Sequence, residues 1–173
     1  MKKILILLGL LAACSSQQEP GRDGNQMAPA AAQKQSVPAA EPSRIATLTG
    51  LYEGGSAAQP NRMCIVEGKG DSRRFGLVVW GGNLHSCSGS GTVTREGGKL
   101  RLAMAGDSAC TMEATISGKT VKLPDAVPSG CSYYCGARAT LGGAELTQKG
   151  TTKAAALEAK DLIGESLCAA EGG

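Results

Sequence analysis

The sequence predicts an all-β domain, a small antiparallel meander closed into a barrel or folded into a two-sheet sandwich. Three observations carry this. Residues 45–150 hold nineteen of the chain's 25 glycines, mostly placed between short runs of alternating residues. Within those runs apolar and polar side chains alternate with period two, the pattern of a strand with one buried face. The connections are too short for crossover helices, so neighbouring strands must be antiparallel. About eight strands of this kind would leave exposed edges, which a barrel or sandwich removes.

In order, strands are expected at 46–53, 62–67, 74–81, 86–95, 99–105, 110–117, 119–123 and 133–141, with a short ninth segment at 144–148. Phe75-Gly-Leu-Val-Val-Trp80 is richer in apolar groups than its neighbours. Leu100, Leu102 and Met104 share one face of their run. Cys110, Met112, Ala114 and Ile116 face one way, with Thr111, Glu113 and Thr115 facing the other. Gly97-Gly98, Gly118-Lys119 and Gly142-Gly143 lie between runs and suit tight hairpin turns, where positive φ is required. Tyr133 and Tyr134 should place one ring on each strand face, which makes Tyr134 a candidate surface contact.

The stretch 151–173 has a different character. Ala154 to Lys160 are mostly strong helix formers, Thr151 or Thr152 can cap the start, and Gly164 ends the helix. Ala155, Ala159, Leu162 and Ile163 form a narrow apolar stripe that would pack on the β domain. At the other end, residues 14–44 carry four of the chain's 7 prolines and few sizeable apolar groups. Such a segment cannot bury enough surface to offset chain entropy, so a disordered tether is expected. Its residues 15–44 would hold the domain about 30 Å from the amino end on average.

Six cysteines follow Cys14: Cys64, Cys87, Cys110, Cys131, Cys135 and Cys168. An even set in an exported chain reads as a disulfide framework. Zinc sites favour C-x-x-C pairs or histidine partners, and this chain has neither, His85 being its only histidine. If Gly97-Gly98 turns the fourth strand into the fifth, Cys87 approaches Cys110, so that pair is expected. Cys131 and Cys135 would lie about 13 Å apart in an extended strand. A disulfide needs Cα atoms within about 7 Å, so these two should take different partners unless they sit in a turn. Cys168 would staple the tail to the domain.

The first thirteen residues are of another kind. Lys2 and Lys3 lead into an apolar run from Ile4 to Ala13, the layout of an export signal. The run is far shorter than the roughly 20 residues that span a bilayer. Leu11-Ala12-Ala13-Cys14 resembles the lipobox of bacterial lipoproteins. That resemblance implies cleavage before Cys14 and lipidation of its thiol and new amino end, with chains such as palmitate. Stable anchoring needs two acyl chains and lipoproteins of this type carry three, so the expected partner of Cys14 is the membrane. Ser15, where an aspartate would imply retention at the inner membrane, implies the outer membrane facing the periplasm. Loss of Lys2 and Lys3 lowers the formal net charge from +3 to +1. That near-neutral balance offers no electrostatic case for nucleic acid.

Candidate chemistry is sparse. Gly106-Asp107-Ser108 is superficially similar to the nucleophile block of a family of serine esterases. The α/β context and a following histidine are both missing, and the three residues suit a β-turn. His85-Ser86-Cys87 would place imidazole and thiol on one strand face, yet a thiol with five potential partners should be oxidised. Arg73-Arg74 is a basic pair that could meet an acidic partner. Ser88-Gly89-Ser90-Gly91 resembles the Ser-Gly loop that periplasmic inhibitors of chicken-type lysozyme place in the enzyme's cleft. The chain departs from that family afterwards, with Thr92-Val93-Thr94 where a tyrosine, a tryptophan and a Lys-Gly pair would follow. The resemblance carries over only Ser88 and Ser90.

These readings give a lipid-anchored envelope protein with a non-catalytic β domain, without metal or cofactor, that binds another envelope protein or the cell wall. The partner-contact candidates are Arg73, Arg74, Ser88, Ser90 and Tyr134. The alternative is a lysozyme or hydrolase inhibitor, which requires Ser88 to Gly91 to protrude from the sheet. A small-ligand carrier would need a barrel too wide to fill itself.

Overall fold

A computed structural model describes residues 47–169, apart from Lys69 and Ser72. The leader, Cys14 and the tether lie outside the described residues. The strands are β1 (Gly50–Gly55), β2 (Pro60–Glu67), β3 (Arg73–Trp80), β4 (Ser86–Glu96), β5 (Lys99–Met104), β6 (Thr111–Ser117), β7 (Thr120–Lys122) and β8 (Glu145–Gly150), followed by the helix α1 (Lys153–Leu157). Each strand pairs antiparallel with the next, and β8 pairs with β1, so the meander closes into a barrel. Of the two expected architectures, the chain adopts the barrel.

Local chemistry accounts for most of these elements. Gly97 (φ 62°) and Gly118 (φ 58°) adopt the left-handed backbone that two-residue hairpins demand, and each joins its two strands directly. Pro60 opens β2, the one place in a strand where a missing N–H costs little. Alternation then sends Tyr52, Met63, Ile65, Phe75, Leu77, Leu100, Leu102, Met112 and Leu146 into a single interior core. Each fully buried side chain of this size contributes about 1.5–3 kcal/mol. An eight-stranded barrel is just wide enough for such side chains to fill, and here they occupy the space a carrier would need open.

The seam between β1 and β8 is held by polar groups as well as by the ladder. Tyr52 lies opposite Gln148 in the register, beside a bulge at Leu51/Tyr52. The Tyr52 hydroxyl donates to the Leu48 carbonyl at 2.7 Å. Gln148 Nε2 shares its hydrogens among the carbonyls of Thr47 (2.8 Å) and Thr49 (3.2 Å) and the Tyr52 hydroxyl (3.3 Å). Burial pushes the Tyr52 phenol up to about 12, against the opposing pull of the Arg95 and Arg73 guanidiniums.

Three expectations are corrected. The strand expected at 133–141 does not form. Ser129–Tyr134 is a 3-10 turn, and the chain then runs through further turns into β8, which occupies the segment read as a short ninth strand. The reason is covalent. Cys131 and Cys135 do take different partners, Cys110 and Cys87, and a compact turn brings both sulfurs to the same end of the barrel. The expected Cys87–Cys110 pair is therefore replaced by Cys87–Cys135, Cys110–Cys131 and Cys64–Cys168. The β4–β5 ladder stops at Gly91↔Met104, because β5 is shorter than β4. The segment carrying Cys135 fills the place beside Cys87 that β5 leaves vacant, and it does so through a bridge to Cys87 itself.

The third correction concerns the tail. Thr152 caps α1 as expected, its Oγ1 accepting from Ala155 N at 3.1 Å, but the helix is only five residues long. Beyond the helix end at Leu157, Asp161 closes a turn by accepting from Ile163 N and Glu165 N with one carboxylate oxygen. Ala156 and Ala159 are buried against Cys64, Val66 and Cys168 on the outside of the barrel, while Leu162 and Ile163 are 51% and 83% exposed. The apolar contact is therefore made by Ala156 and Ala159 with Leu157 and Leu167 packed beside them, and the Leu162 and Ile163 end of the expected stripe does not pack.

Two outcomes are expected. Because the fold favours neutral Tyr52, its contribution is complete below pH about 10 and is lost as pH rises through about 12, a loss of roughly 3 kcal/mol. Tyr52→Phe should cost about 1–3 kcal/mol near neutrality by orphaning its partners, and urea midpoints should show that gap narrowing between pH about 10 and about 12. Joint replacement of Cys64 and Cys168 by Ala opens a loop spanning 104 residues, which should cost about 4–5 kcal/mol in the same measurement.

Candidate functional site

On the outer face of the barrel, Arg74, Gly76 and Val78 of β3 lie opposite Thr92, Ser90 and Ser88 of β4. Period two places their chain neighbours Phe75, Leu77, Cys87 and Val93 inside. After α1 the chain reverses at residues 161–165 and returns across β3 as a strap, pinned where Cys168 bonds Cys64 of β2. The strap lies very low. A Cβ on Gly76 would overlap the Leu167 carbonyl, so only glycine permits this approach. Arg74 Nη1 donates to the Ala169 carbonyl at 3.2 Å, tying the end of the strap to β3.

Between the strap and β4–β5 runs a groove of about 240 Å³, with Arg74, Ser90, Thr92, Ala103, Ala105 and the strap around it. Among the described residues Arg74 is the one charged residue in its lining. Ser90 and Thr92 are exposed, and their hydroxyls make no hydrogen bond within the described residues. The floor is built from small groups at Gly91 and Ala103. A second hollow of about 190 Å³ lies at the barrel end by Pro128, Ser132, Cys135 and Thr140 and has no charged residue in its lining.

The structure separates the residues that sequence reading grouped. Arg74 and Ser90 meet in the groove, and Ser88 lies two residues along the same face. Arg73 is on the other face of β3. Its side chain is half-buried, its Nε sits 3.9 Å from Glu67, and its charge acts on the Tyr52 phenol. It is not a solvated neighbour of Arg74. Of the two tyrosines, Tyr133 is the exposed ring at 76%, whereas Tyr134 packs against the core and meets Tyr133 edge-on at 5.2 Å. The ring available for a surface contact is therefore Tyr133, because a 3-10 turn does not alternate faces as a strand does. Cys168 staples the tail to the domain as expected, through Cys64, whereas the parts played by Thr92, Ala103 and the strap in a groove are not read from the sequence. Thr92 follows Ser88 and Ser90 at period two and was within reach of the pattern, whereas the strap depends on the Cys64–Cys168 pairing.

The remaining motifs resolve as follows. Ser88 to Gly91 lie flat in β4, fully paired with β3, so the protruding loop that an inhibitor of lysozyme requires is not present. Gly89 is placed where a Cβ would run into Met104 and Tyr134, which gives this segment a packing reason for its glycine. Cys87 is oxidised to Cys135, so the neighbouring His85 faces no thiol. Asp107 Oδ1 accepts from Ala109 N at 2.8 Å within a turn, which occupies the carboxylate of Gly106-Asp107-Ser108. Among the described residues no group of three or more His, Cys, Asp or Glu side chains converges to hold a metal ion. Comparisons with protein-family models, with characterised proteins and with solved structures find no match.

The role of Gly76 is testable by a coupled pair of changes. Gly76→Val should destabilise the protein by about 1–3 kcal/mol or more, because the strap cannot yield without moving its disulfide. In the Cys64→Ala, Cys168→Ala background the strap is free to lift, and the same substitution should then be close to neutral in urea denaturation.

Proposed function

We propose that this protein is a lipid-anchored component of a bacterial envelope, held by Cys14 and facing the periplasm from the outer membrane. Its rigid barrel is a non-catalytic module that binds another envelope protein or the cell wall. One observation carries the reading. Three disulfides use all six cysteines of the barrel and strap, so Cys14 is the only one of the chain's 7 cysteines left over. An oxidised framework is the state of exported chains, and an odd cysteine directly behind a signal-like leader has a chemical use as a lipid acceptor. The binding role is supported by the outer groove, which presents a guanidinium and two free hydroxyls on a rigid sheet.

Mass spectrometry of the amino-terminal peptide from detergent-extracted protein tests the anchor. The expected result is a chain beginning at Cys14 and carrying lipid on both its thiol and its amine. Cys14→Ser should abolish the modification, and the chain should then keep its leader or move to the soluble fraction. Recovery of unmodified wild-type chain from the soluble fraction would overturn the reading.

A further inference from the structure

We propose that the groove beneath the strap receives the carboxylate end of a short peptide of small residues, the chemistry of a cell-wall stem peptide. This rests on the wall-binding branch of the function proposed above. The volume sets the first limit. At about 240 Å³ the groove is smaller than the roughly 300–1,000 Å³ of sites for drug-sized ligands, so it takes two or three small residues and no folded element. The second limit is chemical. Phe75 contributes the only ring in the lining, and that ring is turned into the barrel core, so nothing can stack on a sugar face. The polysaccharide part of the wall therefore has no platform here.

What the groove does offer matches a peptide carboxylate. Arg74 is already fixed by one N–H to the Ala169 carbonyl, and its other donors remain for a planar, bidentate anion. Among the described residues no acidic side chain lines the groove to compete for it. Ser90 and Thr92 stand in a row on the same face of β4, and their unpaired hydroxyls can donate to or accept from the amide groups of an extended peptide. Gly91, Ala103 and Ala105 give that part of the lining small groups, and the volume of about 240 Å³ favours small side chains on the ligand. A ligand of alanine-like residues ending in a free acid satisfies all four constraints.

Isothermal titration of the full chain, purified from cells, with N-acetyl-D-alanyl-D-alanine and with its carboxamide tests the proposal. The free acid should bind at least tenfold more tightly than the amide. Arg74→Ala should erase that preference and Arg74→Lys should keep part of it, since an ammonium supplies charge without the fork. Ala103→Leu, which fills the groove and leaves the guanidinium alone, should weaken binding of the acid at least tenfold with the thermal midpoint unchanged. Equal affinity for acid and amide, or insensitivity to Ala103→Leu, would overturn the proposal. Retention on purified wall sacculi separates the two levels of the argument. Retention that survives both Arg74→Ala and Ala103→Leu sinks the groove and leaves wall binding standing. Failure to bind sacculi, acid and amide alike sinks both.

Discussion

Everything in this molecule depends on the closure of β8 onto β1. A meander needs only short hairpins to pair each strand with the next, and those contacts form locally. The final pairing is different, because it joins residues about a hundred positions apart and must offset the corresponding loss of chain freedom. The chain concentrates its buried hydrogen bonding there. One glutamine carboxamide, Gln148, ties the segment ahead of β1 to the last strand, and one phenol, Tyr52, completes the arrangement from the opposite side. Buried amides and hydroxyls are costly when unpaired, so this arrangement favours a single register at the seam. Without that register the inward set of side chains on β1 would face water, since a slip of one residue reverses every side chain.

Much of the barrel was legible because its hairpins are short and its interior positions alternate. β2 through β7 lie within a residue or two of the runs read from the chain, and the β4–β5 and β6–β7 turns coincide with glycines, Gly97 and Gly118, whose backbone conformation only glycine adopts cheaply. The segment from Leu123 to Ala144 was not legible, for a physical reason. It contains residues of good strand propensity, Tyr133 and Tyr134 among them, but two disulfides fix it as a turn-rich plug at one barrel end. Covalent constraints act across the fold and leave no periodic trace in local sequence. The tail failed to follow its helical propensity for a related reason. The helix ends at Leu157, Asp161 then closes a turn over residues 161–165, and the following cysteine is held on the barrel, so the chain folds back as a strap.

The candidate site shows the same division. Arg74, Ser90 and Thr92 are strand residues whose shared face follows from period two, so half of the groove could be read in advance. The other wall is the strap, which exists only because a residue near the end of the chain bonds a residue near the start of the barrel. Gly76 makes the two halves compatible by letting backbone lie directly on backbone. The groove is therefore a product of packing between elements, and its described lining combines one positive charge, two hydroxyls and apolar groups.

The order of the disulfides carries a consequence for how the protein is made. Read along the chain, the pairs are nested like brackets: Cys110 with Cys131 innermost, Cys87 with Cys135 around it, and Cys64 with Cys168 outermost. As the chain appears amino end first, three of the six paired thiols, Cys64, Cys87 and Cys110, are present before any native partner is. An oxidase acting in order of emergence would join Cys64 to Cys87, which sit on strands that are never neighbours. Correct maturation therefore requires either that β-sheet forms before oxidation and keeps those thiols apart, or that an isomerase reshuffles the early bond. Once Cys131 arrives the remaining bonds can close from the inside outwards, and the strap is the last part of the molecule to be fastened.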